Sequence, residues 1–350
     1  MINGSGEIAY EGDKLMKRVV FLDDLKESDI RPEIVYTEYK HLLSEDIQKH
    51  FADPSLFIDI HCPGCSNRDK NFAFKKMGLN FCSCDKCGSL FVSPRPTSDA
   101  LRSFYKDSKV GLFFRNTFLK NKLEARSKKV FSYRIQWIMG LIEEYLPDAE
   151  IFLDYATKYP TLLQEVNDLG FFKSIISVLP ECFEEESLLP ENIKIIQNNE
   201  TIENKIDIFT AFEVVERVFD PAKLFNDAYS SCKKNGLFLI TTTTSSGFEY
   251  QVLGEYSPNI IPLDRLNLLS LEALTSQIER AGFEIIEIST PGRLDVEIVK
   301  RTYEKNPDIP LDGFWKYLFR YRDENALHSL QKYLQEFQLS SHVRIAAIKR

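Results

Sequence analysis

Two pairs of cysteines, each with the spacing Cys-x2-Cys, constrain the fold of this chain more than any other feature of its sequence. The first pair is Cys62 and Cys65, the second is Cys84 and Cys87, and 18 residues separate the two pairs. Two such knuckles commonly supply four thiolates to one tetrahedral zinc ion. We therefore predict a zinc site formed by these four cysteines. The metal is expected to be structural, because protein ligands would fill all of its coordination positions.

Other interpretations of this segment stay open. Cys82 could replace Cys84 as a ligand, or the paired cysteines could be reduced thiols packed as small apolar residues. Small zinc modules also contact nucleic acids, but only six basic and two acidic side chains lie between His61 and Arg95. Four thiolates with one Zn²⁺ subtract two charges, and the surplus of about two is too small for strong phosphate binding. Nucleic acid is therefore not an expected partner.

The composition is that of an ordinary acidic globular protein. The chain has 350 residues, a net charge of −8 and 43% hydrophobic residues, so it can form one large domain and a smaller one. No stretch approaches the roughly 20 apolar residues of a membrane span, and the N-terminus lacks a signal pattern. Paired cysteines in a chain of this size favour reduced thiols. We expect a cytoplasmic protein without a membrane partner.

Beyond residue 150 the hydrophobic pattern alternates between strands and helices. The expected strands are Ile151–Tyr155, Ser174–Val178, Ile193–Ile196, Ile206–Phe212 and Leu237–Thr244. A helix from Thr161 to Leu169 and another that begins at Pro221, capped by Asp220, lie between them. This alternation predicts an α/β fold with a parallel sheet that helices cover on both faces. Ligands of such sheets bind beyond the carboxyl ends of the strands, here after Tyr155, Val178 and Phe212.

The same patterns divide the chain into four segments. Residues 1–58 form an N-terminal extension, and residues 59–100 form the zinc ribbon. Residues 101–147 form a helical linker, because apolar residues recur at helical spacing up to Pro147. Residues 148–350 form the α/β domain.

Several runs of residues, in this order, resemble the bacterial class I S-adenosylmethionine-dependent methyltransferases that begin with a four-cysteine zinc ribbon. Cys84–Pro96 resembles the ribbon exit of that family, and Ile206–Arg217 with Asp220–Thr242 resembles its fourth and fifth strands. Similar positions follow at Pro262–Ser270, Ala281–Glu284, Thr290–Val296 and Ser340–Ile345. The resemblance spans about residues 58–350.

The resemblance implies a Rossmann-like sheet of seven strands with helices on both faces, whose last strand, near Val343–Ile348, runs antiparallel. It implies S-adenosylmethionine as cofactor, and Glu216 as the residue that orients or deprotonates the acceptor. The methionine end of the cofactor would contact Asp154, Tyr155, Ala156 and Thr157, and the adenosine side would contact Ala211, Phe212, Glu213 and Val214.

Four departures from the family pattern concern the site. The glycine-rich turn after the first strand is replaced by Leu153–Pro160, which contains no glycine, and the ribose-binding acid after the second strand is replaced by Leu179. Arg217 and Arg265 stand where the family has histidines. No histidine occurs between His61 and His328, so the usual near-neutral general base is absent from this stretch.

Two hypotheses of function follow. The chain is an active methyltransferase with a small-molecule acceptor, which the resemblance suggests is a saccharide, or it is a non-catalytic relative that serves as a binding or scaffold protein. A protein partner or a homo-oligomer is compatible with either hypothesis. Near the C-terminus, a group of aromatic and basic residues could contact a sugar ring or form a packing face: Phe314, Trp315, Tyr317 and Arg320.

Overall fold

A computed structural model describes residues 8–10, 16–19, 33–119, 131–156, 160–179, 189–197 and 202–350. The strands are β1 (Ile8–Tyr10), β2 (Met16–Val19), β3 (Phe57–Ile58), β4 (Asn71–Lys76), β5 (Leu79–Ser83), β6 (Leu90–Val92), β7 (Arg95–Pro96), β8 (Ile151–Tyr155), β9 (Ser174–Leu179), β10 (Lys194–Gln197), β11 (Ile206–Phe212), β12 (Cys232–Thr243), β13 (Asn267–Leu268), β14 (Glu284–Ser289) and β15 (His342–Ile348). The α-helices are α1 (Glu33–His50), α2 (Ser98–Asp107), α3 (Lys109–Phe114), α4 (Ser132–Tyr145), α5 (Pro160–Asp168), α6 (Pro221–Ser231), α7 (Phe248–Leu253), α8 (Leu271–Arg280), α9 (Asp295–Lys305), α10 (Gly313–Tyr321) and α11 (Glu324–Glu336).

The main sheet has the strand order β1-β2-β14-β15-β12-β11-β8-β9-β10. The five strands from β12 to β10 in this order are parallel, and β15 runs antiparallel to both β12 and β14. Seven of the strands therefore form the sheet that the resemblance implies, with its antiparallel last strand. The antiparallel strands β1 and β2 extend the edge, since β2 pairs with β14.

Side chains of the central strands alternate between two apolar layers. Phe152 and Ile208 face the layer that contains α4 and α5, whereas Leu153 and Phe209 face the layer that contains α6 and α8. Helices thus cover both faces of the sheet, as the pattern predicts. β12 begins at Cys232, five residues before the predicted start, because Cys232 already pairs with Ile206 of β11.

The ribbon segment and the N-terminal helices form one further layer. β4, β5 and β6 make an antiparallel sheet to which β13, from the α/β domain, adds a fourth strand. Helices α1, α2 and α3 pack on this sheet through a shared apolar cluster. Among the described residues, no helix is both long enough and apolar enough to cross a bilayer.

Candidate functional site

The four paired cysteines converge at one point of the ribbon. Their sulfur atoms all lie within 4.8 Å of one another. The Sγ atoms of Cys62 and Cys87 are 3.5 Å apart, and those of Cys65 and Cys84 are also 3.5 Å apart. Four thiolates around a common centre are the donor set of a tetrahedral zinc site with no open coordination position. The structure thus brings together all four predicted ligands, while the Cys82 sulfur instead donates to the carbonyl oxygen of Ser93.

Backbone hydrogen bonds shape the two knuckles in the same way. The amide of Ser66 donates to the carbonyl of Cys62, and the amide of Gly88 donates to the carbonyl of Cys84. Ser66 and Gly88 both have left-handed φ angles, of 60° and 70°. The amide of Gly64 donates to the sulfur of Cys62 at 3.4 Å. Such a hydrogen bond would stabilise this sulfur as a thiolate ligand of a metal.

Gly64 has a role other than the tight turn that its place in the first knuckle suggests. Ser66 takes the left-handed turn position, and Gly64 leaves room for its neighbours. A Cβ atom at Gly64 would lie 2.6 Å from Oγ of Ser89 and 3.0 Å from Cβ of Ala273. The first knuckle therefore presses directly against helix α8 of the α/β domain.

Polar contacts join the knuckles to the α/β domain. Gln277 on α8 donates through Nε2 to the carbonyl oxygen of Gly64 at 2.9 Å. The amide of Ser270 donates to Oγ of Ser89, and Oγ of Ser245 donates to the carbonyl of Gly88. The four-cysteine cluster is thus built into the interface between ribbon and sheet.

Arg95, at the ribbon exit, has a fully buried side chain. Its guanidinium donates to the carbonyls of Phe219 at 3.0 Å and Leu266 at 3.1 Å, and to Oδ1 of Asn267 at 2.9 Å. Asn267 in turn donates to the carbonyl of Val218 at 2.7 Å. The ribbon therefore fixes the loop that follows β11.

That loop borders a cavity of about 440 Å³. Its floor lies at the carboxyl ends of β8 and β11, and helices α1, α2 and α3 form its roof. From β8 the chain continues outward to β9 and β10, whereas β11 leads to β12 on the other side, so the cavity lies at the switch point of the sheet. Doubly wound sheets bind their ligands at this position, and the volume is within the range of about 300–1,000 Å³ typical of small-molecule sites.

Ala156 takes the first turn position after β8, where the resembling family has glycine. Its φ angle is +55°, in the left-handed region that favours glycine, and its amide donates to the carbonyl of Val178 at 2.8 Å. The backbone thus makes a glycine-like turn without a glycine.

Tyr155, beside this turn, forms a wall of the cavity. Its ring is stacked on Phe209 with the centroids 5.9 Å apart. Asp154 does not line the cavity; its side chain is fully buried, and Oγ1 of Thr210 donates to its Oδ1 at 2.8 Å.

Glu213, the first residue after β11, has its carboxylate at the centre of a charged cluster. Oε1 accepts hydrogen bonds from Nη2 of Arg134 at 2.9 Å and Oγ1 of Thr241 at 3.0 Å, and Nδ1 of His342 is 3.6 Å away. Burial acts to raise the pKa of Glu213, but His342, once protonated at low pH, and the permanent charge of Arg134 outweigh it and hold this pKa well below its usual value. Glu213 is therefore an anion in this site.

His342 begins β15, and because that strand is antiparallel, its first residue lies at the same edge as the carboxyl ends of β12 and β14. Its side chain is 33% exposed. Burial lowers the pKa of His342, although the nearby Glu213 carboxylate acts in the opposite direction. His342 therefore adjoins the carboxylate of Glu213 at the edge of the cavity, and none of its own atoms lines that cavity.

Glu216, in the loop after β11, is fully buried. Oγ1 of Thr242 donates to its Oε2 at 2.6 Å, and Nη1 of Arg265 is 3.1 Å from its Oε1. Burial raises the pKa of Glu216, and the positive charge of Arg265 partly offsets this effect. Glu216 contributes no lining atom to the cavity, and its predicted role toward an acceptor stays a prediction.

The roof of the cavity carries its own polar cluster. Oη of Tyr39 on α1 donates to Oδ2 of Asp264 at 2.8 Å, and Nε of Arg217 is 3.7 Å from Oδ1 of the same carboxylate. Burial, followed by the charge of Asp264, raises the pKa of Tyr39 well above its usual value, so this tyrosine is a neutral donor. Arg217, which stands where the family has histidine, lies in the loop after β11. Through Asp264 it therefore connects the floor of the cavity to Tyr39 in the roof.

Four of the eight predicted cofactor contacts line the cavity: Tyr155, Ala156, Glu213 and Val214. Asp154, Ala211 and Phe212 are buried in their strands instead, and Thr157 lies outside the described residues. The sequence reasoning missed Arg134, His342 and Tyr39, which distant elements bring to the site. The apolar pattern of β15 shows that His342 lies at the start of this strand. Only the fold shows that β15 pairs with β12, which brings His342 to the site.

A family model described as "Methyltransferase domain" matches residues 132–288. A solved structure of Haemonchus contortus phosphoethanolamine N-methyltransferase 2 in complex with S-adenosyl-L-methionine is 18% identical, with a TM-score of 0.43 over 74% of this chain and 62% of that chain. An S-adenosylmethionine-dependent methyltransferase from Mesorhizobium loti is 12% identical, with a TM-score of 0.37 over 60% of this chain and 96% of that chain. A search of curated proteins finds no match.

The strand order defines an α/β protein of the Rossmann-like type with an antiparallel seventh strand. The family match assigns residues 132–288 to a methyltransferase domain, and the strand order confirms the fold that the resemblance implies.

Proposed function

We propose that this protein is an S-adenosylmethionine-dependent methyltransferase that acts on a small-molecule acceptor, and that the cofactor occupies the cavity between β8 and β11. The observation that carries this proposal is the left-handed Ala156 at the floor of an open cavity of about 440 Å³. A residue that keeps a costly glycine-like conformation preserves close backbone approach to a ligand.

The residues around this turn fit the methionine end of the cofactor. Tyr155 and Val214 provide apolar walls, and the Ala156 turn leaves its backbone accessible between them. When bound, S-adenosylmethionine supplies an electrophilic sulfonium methyl group. The protein would mainly hold an acceptor in line with that group, since positioning alone can supply several kcal/mol of catalysis.

The roof supports a polar acceptor with a ring, such as a saccharide. Tyr39, Tyr105 and Phe114 offer aromatic faces to C–H groups, and the paired Arg217 and Asp264 offer hydrogen bonds to hydroxyl groups. Where an acceptor hydroxyl must lose a proton, His342 would accept it beside the lining residue Glu213, 3.6 Å away, because its lowered pKa favours the unprotonated imidazole. Glu213 would stabilise the protonated imidazole that results.

We further propose that the four cysteines hold one structural zinc ion. The distances of 3.5 Å between paired sulfurs and the absence of an open ligand position in this cysteine set support this role over a catalytic one. Without a cation, contact with Cys87 and burial raise the pKa of Cys62, because neighbouring thiolates repel one another. A bound dication would offset this repulsion and stabilise the four thiolates. Elemental analysis should find about one zinc per chain.

Calorimetric titration with S-adenosylmethionine tests the cofactor assignment. We expect saturable micromolar binding by the wild-type chain. Val218→Trp should weaken it by about tenfold or more, because the indole would enter the cavity. Val252→Trp is the matched control, since Val252 is half-buried on α7 and does not line the cavity. Equal binding by both variants would place the cofactor elsewhere.

A non-catalytic scaffold is the second candidate, and one observation favours it. Leu179 ends β9, where the family carries the acid that binds the ribose. If the chain is a scaffold, calorimetry should detect no S-adenosylmethionine binding. If it is an enzyme, radiolabelled methyl groups should appear on an acceptor from a panel of nucleotide sugars.

A further inference from the structure

Helix α10 is attached to the protein along one side only. Trp315, Leu318 and Phe319 are half-buried and pack on the apolar cluster formed with α7, α9 and α11. The ring of Trp315 meets that of Phe248 edge-on, with the centroids 4.9 Å apart. No residue of this nine-residue helix is fully buried. The side of α10 opposite Trp315, Leu318 and Phe319 is therefore exposed, while these three residues hold the helix on the protein.

The outward side carries a continuous aromatic stripe. The side chains of Phe314, Tyr317 and Tyr321 are 63%, 50% and 56% exposed. They are spaced three and four residues apart, so they lie on one face of the helix. The rings of Tyr317 and Tyr321 are 5.1 Å apart. Exposed aromatic residues scattered singly are normal, whereas three on one face of a short helix form a candidate interaction surface.

Cations border this stripe, and no acidic residue lies within the helix. Lys316 and Arg320 are exposed on one flank of it, and the guanidinium of Arg320 lies 5.3 Å from the ring centroid of Tyr321. Arg322 follows the helix, where its Nη2 donates to Oη of Tyr317 at 2.9 Å. The adjacent Asp323 is engaged as the cap of α11, accepting from the amide of Ala326. This positive face stands out on a chain whose net charge is −8.

We propose that this face of α10 docks on an anionic lipid surface. Aromatic rings bordered by lysine and arginine are the composition of helices that lie in the membrane interface, where the rings enter the headgroup boundary and the cations meet lipid phosphates. Pairing with the same face of a second copy is disfavoured, because it would bring the three cations of each copy together, with Asp312 at the N-terminus of α10 as the one acidic residue beside each set that does not cap a helix through its side chain. The expectation of no membrane partner came from the lack of an apolar span, which a helix lying on the surface does not need.

Sedimentation of the full chain with vesicles tests the proposal. The wild-type protein should bind vesicles of phosphatidylcholine with phosphatidylserine and remain in solution with phosphatidylcholine alone. Lys316→Ala with Arg320→Ala should lower the partition coefficient about fivefold for each charge removed. The variant Phe314→Ala, Tyr317→Ala and Tyr321→Ala should lower it by about tenfold or more.

Tyr333→Ala with Phe337→Ala is the matched control. These two rings are 50% and 56% exposed on and just after α11, with their centroids 4.6 Å apart, but they belong to a different helical face. This control should bind vesicles as the wild type does. Equal binding to neutral and anionic vesicles, or no binding to either, would overturn the proposal. A dimer in sedimentation velocity that only the α10 aromatic variant dissociates would also overturn it and assign the face to a second copy.

Discussion

Ala156 adopts a backbone conformation that costs an L-amino acid about 1 kcal/mol because its Cβ crowds the following carbonyl. With φ at +55°, the position is suited to glycine. We predict that Ala156→Gly raises the free energy of unfolding by about 0.5–1 kcal/mol, despite the greater freedom that glycine has in the unfolded chain. Urea denaturation followed by circular dichroism would measure the change.

Ala222→Gly provides the opposite case. Ala222 is exposed in the first turn of α6, where the φ angle is not left-handed. There the same substitution should destabilise the protein by about 0.5–1 kcal/mol. Destabilisation of similar size by both substitutions would show that the turn at Ala156 is not strained.

His342 should make stability depend on pH near neutrality. Because burial lowers its pKa in the folded protein, the unfolded state binds the proton more readily. Its contribution is therefore complete above the unfolded pKa of about 6.5 and is lost as the pH falls below that value. We predict that His342→Gln flattens the decline in unfolding free energy between about pH 7.5 and pH 5.5.

His328→Gln is the control for this measurement, because His328 is exposed on α11. Its profile should match that of the wild type. The lowered pKa of Glu213 acts only below the ordinary carboxylate range, so it does not affect this window. A His342→Gln profile as steep as that of the wild type would contradict the assignment.

At the scale of elements, the contact between the first knuckle and α8 depends on Gly64. A methyl group there would overlap Oγ of Ser89 and crowd Cβ of Ala273. We predict that Gly64→Ala costs about 1–3 kcal/mol, because either the knuckle or the helix must move. Thermal unfolding of the metal-loaded protein would measure the loss.

Gly140→Ala is its matched control. Gly140 lies within α4, and a Cβ atom there would meet nothing within 4 Å. Since alanine favours helix, this substitution should stabilise the protein by up to about 1 kcal/mol. If Gly64→Ala were as well tolerated, the knuckle would not be packed against α8 as described.

The strands and helices of the sheet could be predicted because their patterns are local. Ile151–Tyr155 and Ile206–Phe212 have the predicted bounds, and the side chain of Asp220 caps α6 as expected. The pairing of β13 with β6 could not be predicted, because two residues make no periodic pattern. Likewise, β2 has only four residues and pairs with the edge of β14, so its own sequence could not predict this pairing.

The residues of the site were only partly predictable for a related reason. Tyr155 ends β8 and Glu213 directly follows β11, so the topology alone places them at the ligand-binding edge. Glu216 follows three residues later and turns into the interior, where Arg265 neutralises it. That ion pair joins residues 49 positions apart, so no local pattern could reveal it.

For the whole molecule, metal binding should be coupled to the stability of the α/β domain. Arg95, Gln277 and Ser245 connect the ribbon to the sheet through buried or half-buried hydrogen bonds. We predict that chelation of zinc lowers the melting temperature of the entire chain by several degrees or more within a single transition. Differential scanning calorimetry before and after chelation would measure this. Two separate transitions, with the larger one unchanged by chelation, would show that the ribbon is energetically independent.

A crystal structure with S-adenosylhomocysteine would test most directly whether a turn without glycine still admits the cofactor. We predict density for the ligand between Tyr155 and Ala156 on one side and Glu213 and Val214 on the other, with the Tyr155 ring still stacked on Phe209. A Tyr155 ring turned into that space, with no ligand bound there, would contradict the account.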